Sequence, residues 1–190
     1  FPKFFHPDPT VKRQSGFLAP SILSQNSADY LKTPYFFAIS EDSDFTFSPR
    51  FYSDQKNIYQ GEFRKVKKNS KHIFDASIKN ENAFLTKKNS SQSHFFSKST
   101  IETNFELFDF SKIDIQLQSV SNDNYLKLND ISSPIINSKN TLNSKIEFEG
   151  SRDDIEFSIN TEIYEDLSKE NSSDKYEFIL PNFSLSKILE

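Results

Sequence analysis

The chain has 190 residues, a mass of 22.1 kDa, a formal net charge of −4 and a pI near 5.5, with no Cys, Met or Trp. The missing cysteines exclude a disulfide scaffold, a zinc–thiolate centre and a thiol nucleophile, and a mildly acidic chain with its Lys spread throughout argues against a nucleic-acid partner. No run of 18 or more apolar residues exists, which excludes a membrane-spanning helix but not a membrane β-barrel, whose strands alternate and score as polar on average.

Phe, Ile, Leu and Val together make 54 of the 190 residues, above the level of a disordered chain, and the aromatic and β-branched bias favours strands. With Phe1 first, no Met anywhere and no charged-then-apolar leader, the chain is expected to be a piece of a longer product. In chain order the strands are predicted at 14–23, 31–40, 44–53, 58–67, 72–80, 93–104, 107–120, 142–150, 153–166 and 176–185. The first three carry Pro20, Pro34 and Pro49, and proline cannot donate a ladder hydrogen bond. Alternation of period two runs through Asp44–Phe51, Lys112–Gln118 and Lys145–Glu149. It is clearest from Ile155 to Ile163, where apolar residues at odd positions oppose Glu156, Ser158, Asn160 and Glu162. The weaker competitor is a helix over 161–170, where Ile163 and Leu167 are four apart.

Short polar clusters such as Ser40–Asp44, Ser53–Asn57 and Lys68–Lys71 separate these runs, so consecutive strands are expected to be antiparallel neighbours in one up-and-down meander. The longest connections, 80–93 and 122–143, are expected to be loops with disordered tips. Two architectures fit a two-faced strand of this length. A membrane barrel turns the Phe and Ile face out to lipid, and a soluble secreted sandwich, binding glycans or peptides, buries it between two sheets. Phe4-Phe5, Tyr35-Phe36-Phe37, Phe51-Tyr52 and Phe95-Phe96 sit beside turns, where a barrel places its interfacial girdles, although aromatic pairs also pack soluble cores. Any one proline in these strands reads as an edge or a bulge. Two on neighbouring strands at the start of the sheet suggest a seam built to open.

Catalytic constellations are poor. His6, His72 and His94 are scattered with no spacing that places two ligands on one strand face, so no metal site or cofactor is expected. Asp153-Asp154 and Glu41-Asp42 read as solvated turn caps, and Asn89-Ser90-Ser91, Asn171-Ser172-Ser173 and Asn182-Phe183-Ser184 are glycosylation tripeptides of the kind chance supplies in an Asn- and Ser-rich chain. No phosphate loop or nucleophile elbow is present, and no residue is assigned a catalytic role.

Arg13, followed by Ser15-Gly16-Phe17-Leu18-Ala19-Pro20, then Thr33-Pro34-Tyr35-Phe36-Phe37-Ala38-Ile39-Ser40, Asp44-Phe45-Thr46-Phe47-Ser48-Pro49-Arg50 and Gly61-Glu62-Phe63-Arg64, resembles the LptD family of outer-membrane lipopolysaccharide-assembly proteins, at the point where the family's barrel begins. Ser93-His94-Phe95, Asn124-Tyr125-Leu126-Lys127 and Leu180-Pro181 are similar to weaker family landmarks, and beyond about Asn140 the likeness rests on alternation. The resemblance implies an entry segment from a periplasmic domain at 1–13 and the first ten or so strands of a large, here incomplete, outer-membrane β-barrel at 14–190. It implies lipopolysaccharide as cargo, a plug lipoprotein like LptE, and a periplasmic bridge protein like LptA reached through the preceding domain. In that family lipopolysaccharide leaves through a lateral gate weakened by prolines, and Pro20 and Pro34 are the matching positions. The wet faces, including Thr46, Ser48, Arg50, Glu62, Arg64, Asp114 and Gln116, are then expected to line the lumen. Glycine, with three residues, is scarcer than such barrels usually show.

Overall fold

A computed structural model describes residues 13–25, 28–53, 57–79, 91–170 and 172–187. The strands are β1 (Gly16–Phe17), β2 (Ser21–Gln25), β3 (Ala28–Lys32), β4 (Tyr35–Ala38), β5 (Ser43–Tyr52), β6 (Ile58–Lys67), β7 (Ser70–Lys79), β8 (Gln92–Thr103), β9 (Phe110–Val120), β10 (Thr141–Arg152), β11 (Ile155–Asp166) and β12 (Tyr176–Lys187). Two single-turn helices, α1 (Tyr125–Leu128) and α2 (Ser172–Lys175), lie in connections. All strands join one antiparallel sheet that does not close on itself. No helix among the described residues is long and apolar enough to cross a membrane.

The path through the sheet is an up-and-down meander from β5 to β12. Its beginning is irregular for a reason visible in the sequence. The first two long strands are each broken at a proline: β1 and β2 are halves of one strand separated at Leu18–Pro20, and β3 and β4 halves of another separated at Thr33–Pro34. β4 pairs with the first half of β5 and β3 with its end, while β1 pairs with β4 and β2 with β3. The single run expected at 31–40 therefore divides, and residues 21–32 form a hairpin of their own. The helical alternative over 161–170 is not taken: β11 continues to Asp166, because pairing with β10 uses every residue up to that point and pairing with β12 resumes after a register shift between Asn160 and Glu162.

Register places the side chains on two unlike faces. Across β5, β6 and β7 one face carries Thr46, Glu62 and Asp75, then Ser48, Gln60 and Ser77. It continues as Lys98, Gln116 and Lys145, and as Thr100, Asp114 and Glu147. The other face carries Phe37, Phe45, Phe63 and Phe74 in a single row over four strands. Rings touch along it, with Phe37–Phe45 centroids 5.9 Å and Phe63–Phe74 centroids 6.2 Å apart. Farther on, Phe148 meets both Phe108 and Phe157. Among the described residues no second sheet covers this apolar face; Phe17 is 79%, Phe183 73% and Leu185 73% exposed. Gly61 sits beside the row because a Cβ there would lie 2.8 Å from the Phe45 ring.

The buried core lies on the opposite side, where segment 121–140 folds across one end of the polar face. Ile58 and Phe96 from the sheet meet Tyr125, Leu126, Ile131 and Ile135, joined by Leu142 and Leu167. α1 is too short to be stable alone; burial of Tyr125 and Leu126 holds it. The Asn129 side chain donates to Tyr125 O (2.8 Å), Ile131 N to Leu126 O (2.9 Å), and Asp130 turns the chain with φ of 44°. The loop expected over 122–143 is thus ordered and packed, whereas residues 80–90 of the other long connection lie outside the described residues, as do residues 1–12 of the entry segment. The three longest connections, 80–91, 121–140 and 167–175, share one end of the sheet with the shorter 53–57, while 39–42, 68–69, 104–109 and 153–154 at the opposite end are six residues or fewer. Leu126→Ala should weaken the packed segment by about 3 kcal/mol, as a fully buried large-to-small change does. Hydrogen exchange over 122–131 in the intact protein should rise accordingly, with β7 unchanged.

Candidate functional site

Two features stand out from the regular sheet, the proline-broken edge and the polar face beneath segment 121–140. At the edge, pairing is sparse. β1 contributes Gly16 and Phe17 against Phe36 and Tyr35, supplemented by Leu18 N donating to Pro34 O (2.9 Å) and Ala38 N to Ser15 Oγ (2.9 Å). β3 meets β5 over Tyr30–Lys32 against Arg50–Tyr52, and Thr33 N reaches Pro49 O at 3.2 Å. Pro20 and Pro34 occupy the two breaks, and neither can add a donor. The approach to β1 at Arg13 is fastened by charge instead. The Asp44 carboxylate, nearly buried, accepts from Arg13 and from Arg64 Nε (2.8 Å), and the Arg13 guanidinium lies 5.4 Å from the Phe36 ring centroid. Arg13 therefore pins the point at which the chain enters the sheet.

On the polar face, Thr46, Ser48, Arg50, Glu62, Arg64, Asp114 and Gln116 share one side of the sheet, as their register requires. They do not share one environment. Arg50 is buried at 3% exposure under segment 121–140, and Gln116 at 8% donates to Asn143 O (3.0 Å). Arg64 and Glu62 lie near the short-turn end, 3.5 Å apart. Asp114, Glu147 and Glu149 bring carboxylate oxygens within 4.8 Å of one another, a spacing a divalent ion uses. Lysines already answer that charge: Lys112 Nζ lies 3.4 Å from Asp114 and 3.0 Å from Glu149, and Lys145 Nζ 2.9 Å from Glu147.

Under the segment is a buried polar network that sequence reasoning did not assemble. Gln60 Nε2 donates to Asp75 (3.0 Å) and to Ser132 O (2.9 Å), Ser77 Oγ pairs with His94 Nδ1 (2.6 Å) and Tyr125 OH (2.7 Å), and Gln118 Nε2 donates to Ile135 O (3.2 Å). Lys79 Nζ donates to Asn129 Oδ1 at 2.8 Å. Gln60, Ser77, Lys79 and Gln118 thereby gain partners from the segment while Asp75 and His94 are partnered within the sheet, the condition under which burying polar groups is tolerated. Asp75, His94 and Ser77 follow one another like an acid, base and hydroxyl relay. His94 Nε2, however, approaches Asp75 Oδ1 at 3.4 Å without hydrogen-bond alignment, and Tyr125 closes the approach to Ser77. A substrate carbonyl has no access to Ser77, so the arrangement packs rather than catalyses. The signal for it in the sequence is Tyr125, Leu126, Ile131, Ile135 and Ile136, more apolar residues than a solvated loop carries.

Ionic contacts fasten the segment's outer side. Burial pushes the Tyr125 phenol up, partly offset by its bond to Ser77. A hydrogen bond from Lys139 holds the Asp130 carboxyl below the usual aspartate range. Lys175, bonded first to Asp123 (2.8 Å) and then to Glu165 (3.1 Å), is pushed up to about 12 and ties α2 to the same segment.

No family model matches the chain. Among curated relatives, the LPS-assembly protein LptD of Pseudomonas savastanoi pv. phaseolicola is 37% identical over 71 residues. That of Pseudomonas aeruginosa is likewise 37% identical over 71 residues, and that of Pseudomonas putida 40% identical over 60. The 71-residue matches span 37% of this chain and 8% of those relatives' length, so the likeness is to a small part of a much larger protein.

The Asp130–Lys139 pair makes a pH prediction. A carboxyl whose folded value is depressed contributes stability in full above the unfolded value, about 4, and loses it as pH falls through the folded value. Below pH ~4 the exchange of amides at 128–131 should therefore rise. Lys139→Met should move the Asp130 titration upward, measured by carboxyl NMR, and abolish that part of the pH dependence.

Proposed function

We propose that this chain is the opening part of an outer-membrane barrel that assembles lipopolysaccharide into the outer leaflet. The observation that carries the reading is the inverted covering of the sheet: the Phe and Ile face is left open while the polar face is the one packed over. A soluble sandwich requires the reverse, since its apolar faces bury one another. A barrel wall in lipid requires an apolar exterior, a polar interior, short turns at the periplasmic end and longer loops at the other, and the connections divide in that way. On this reading the described chain enters the wall at Arg13 from the periplasmic side, which suits a cargo-delivering domain upstream and a bridge protein like LptA beyond it. The remainder of the wall comes from further strands that pair with β12 and with the broken first strand.

Transport in such a wall needs no chemistry from the chain. Every backbone group facing lipid must be paired, so a seam that opens has to hold few hydrogen bonds while the rest holds many. Pro20 and Pro34 sit in the two breaks of the edge and supply that deficit, which is why we assign them to the lateral gate. Thr46, Ser48, Glu62, Arg64, Asp114 and Gln116 are assigned to the lumen that sugar and phosphate head groups traverse, with Arg50 behind segment 121–140. A plug lipoprotein like LptE is the partner the unoccupied remainder of a large lumen suits.

The test is export from a strain that depends on the full-length protein. Replacing Pro20 and Pro34 together by Thr restores two potential donors, each worth about 1 kcal/mol. The fraction of open seams, and with it the appearance of new lipopolysaccharide at the cell surface, should fall roughly 30-fold for about 2 kcal/mol. Unchanged export in the double variant removes the gate assignment, and normal export after depletion of the protein removes the transport reading itself.

A further inference from the structure

Arg50 joins two parts of the molecule that otherwise have little to do with each other. Its Nη1 donates to Asn129 O (2.6 Å), and Nη1 and Nη2 each reach Asp130 O at 3.4 Å, so its fork grips segment 121–140 just beyond α1. Its Cζ lies 5.6 Å from the ring centroid of Tyr30, a residue of β3, and Tyr30 in turn packs on Tyr52 with centroids 4.8 Å apart. The guanidinium is 3% exposed, and its Nε is buried without a partner. Carbonyl oxygens and one aromatic face thus hold a buried cation, and withdrawing either leaves it under-compensated, a costly state that relaxes by drawing in water.

The other end of this linkage is a sparse junction of the sheet, second only to that of β1 with β4. The β2–β3 hairpin is attached to β5 over three residues, next to the break at Pro34. Within those three, Lys32 stands directly opposite Arg50, a like-charge pairing that opposes the attachment. Tyr30 is outside the core cluster formed around the segment and touches it only through Tyr52, so the Arg50 link has to be separated from that packing path by testing Tyr30 with and without Arg50.

We infer that Arg50 is a positioning residue that couples the seam to the lumen, so that displacement of the β2–β3 hairpin releases segment 121–140 and retention of the hairpin holds the segment down. The inference rests on the seam assigned above, and its consequence is that the lateral opening and the path beneath it clear together.

Hydrogen exchange on the full-length protein in detergent tests this without any measurement of export. Tyr30→Leu should raise exchange over 122–131 about tenfold, the scale of losing one contact to a charged group. In an Arg50→Gln background the same change should add little, because the link is already cut. Arg50→Lys, which keeps the charge but not the fork, should fall between wild type and Arg50→Gln. Wild-type exchange at 122–131 in Tyr30→Leu, or effects of the two changes that multiply independently, overturns the coupling. Should Arg50→Gln also loosen β7, a crosslink between Leu31→Cys and Phe51→Cys in the Arg50 protein replaces it: fixing the hairpin should slow exchange at 122–131 severalfold, and no change overturns the proposal. Loss of the coupling leaves the transport reading standing, since export is tested separately through Pro20 and Pro34.

Discussion

The structure depends on one constraint, that every strand has a period of two and so presents one wet and one greasy side. Once neighbouring strands are in register, the alternation of each adds to that of the next, and the sheet acquires a continuous apolar surface and a continuous polar one. A one-residue slip anywhere would reverse this for the whole strand. The row Phe37, Phe45, Phe63 and Phe74 shows the register held across four strands. Gly61 relieves the crowding that such a row creates against the Phe45 ring.

Covering the polar face rather than the apolar one has a cost that the buried network offsets. Asp75, Ser77 and His94 lose water when segment 121–140 settles on them, and so do the backbone carbonyls of that segment. The hydrogen bonds of Gln60, Ser77 and Gln118 to the segment return most of what is lost, and Tyr125, Leu126 and Ile131 add the apolar burial that makes the exchange favourable. The segment is therefore specified by polar contacts and stabilised by apolar ones. At the other end of the same face Asp114, Glu147 and Glu149 are left partly open and balanced by lysines, as a surface in contact with water requires.

The strands were largely legible because alternation is local: the expected 58–67 coincides with β6, and 153–166 differs from β11 by two residues at its start. The proline breaks were legible too, since what proline removes is a property of the residue itself. The consequence of those breaks was less so. That residues 21–32 would fold back as a separate hairpin, and that β3 would reach the far end of β5, depends on which partner remains once each long strand is cut, and sequence spacing does not state that. The packing of 121–140 was hidden for a related reason. Its Asn, Ser and Asp residues read as a solvated loop, and the side chains that receive it, Gln60, Asp75, Ser77 and His94, read as ordinary wet face on strands far apart in the chain.

A sheet of this size ordinarily protects its edge by pairing, yet here the first two long strands are each cut in two, the first fastened at Arg13 by charge and the second at Tyr30 by ring contacts. Side-chain contacts of that kind differ from ladder hydrogen bonds in a way that matters for a seam. They can be surrendered one at a time, and their groups recover water when released, whereas an unpaired backbone group facing lipid recovers nothing. An edge that opens repeatedly is cheaper to build from such contacts than from a complete ladder. Lys32 placed directly against Arg50, like charge to like charge, opposes that attachment further. Sparse pairing is concentrated in β1 to β4, whereas from β6 to β8 the ladder is continuous, and on the proposed reading a seam at that edge opens against a rigid wall.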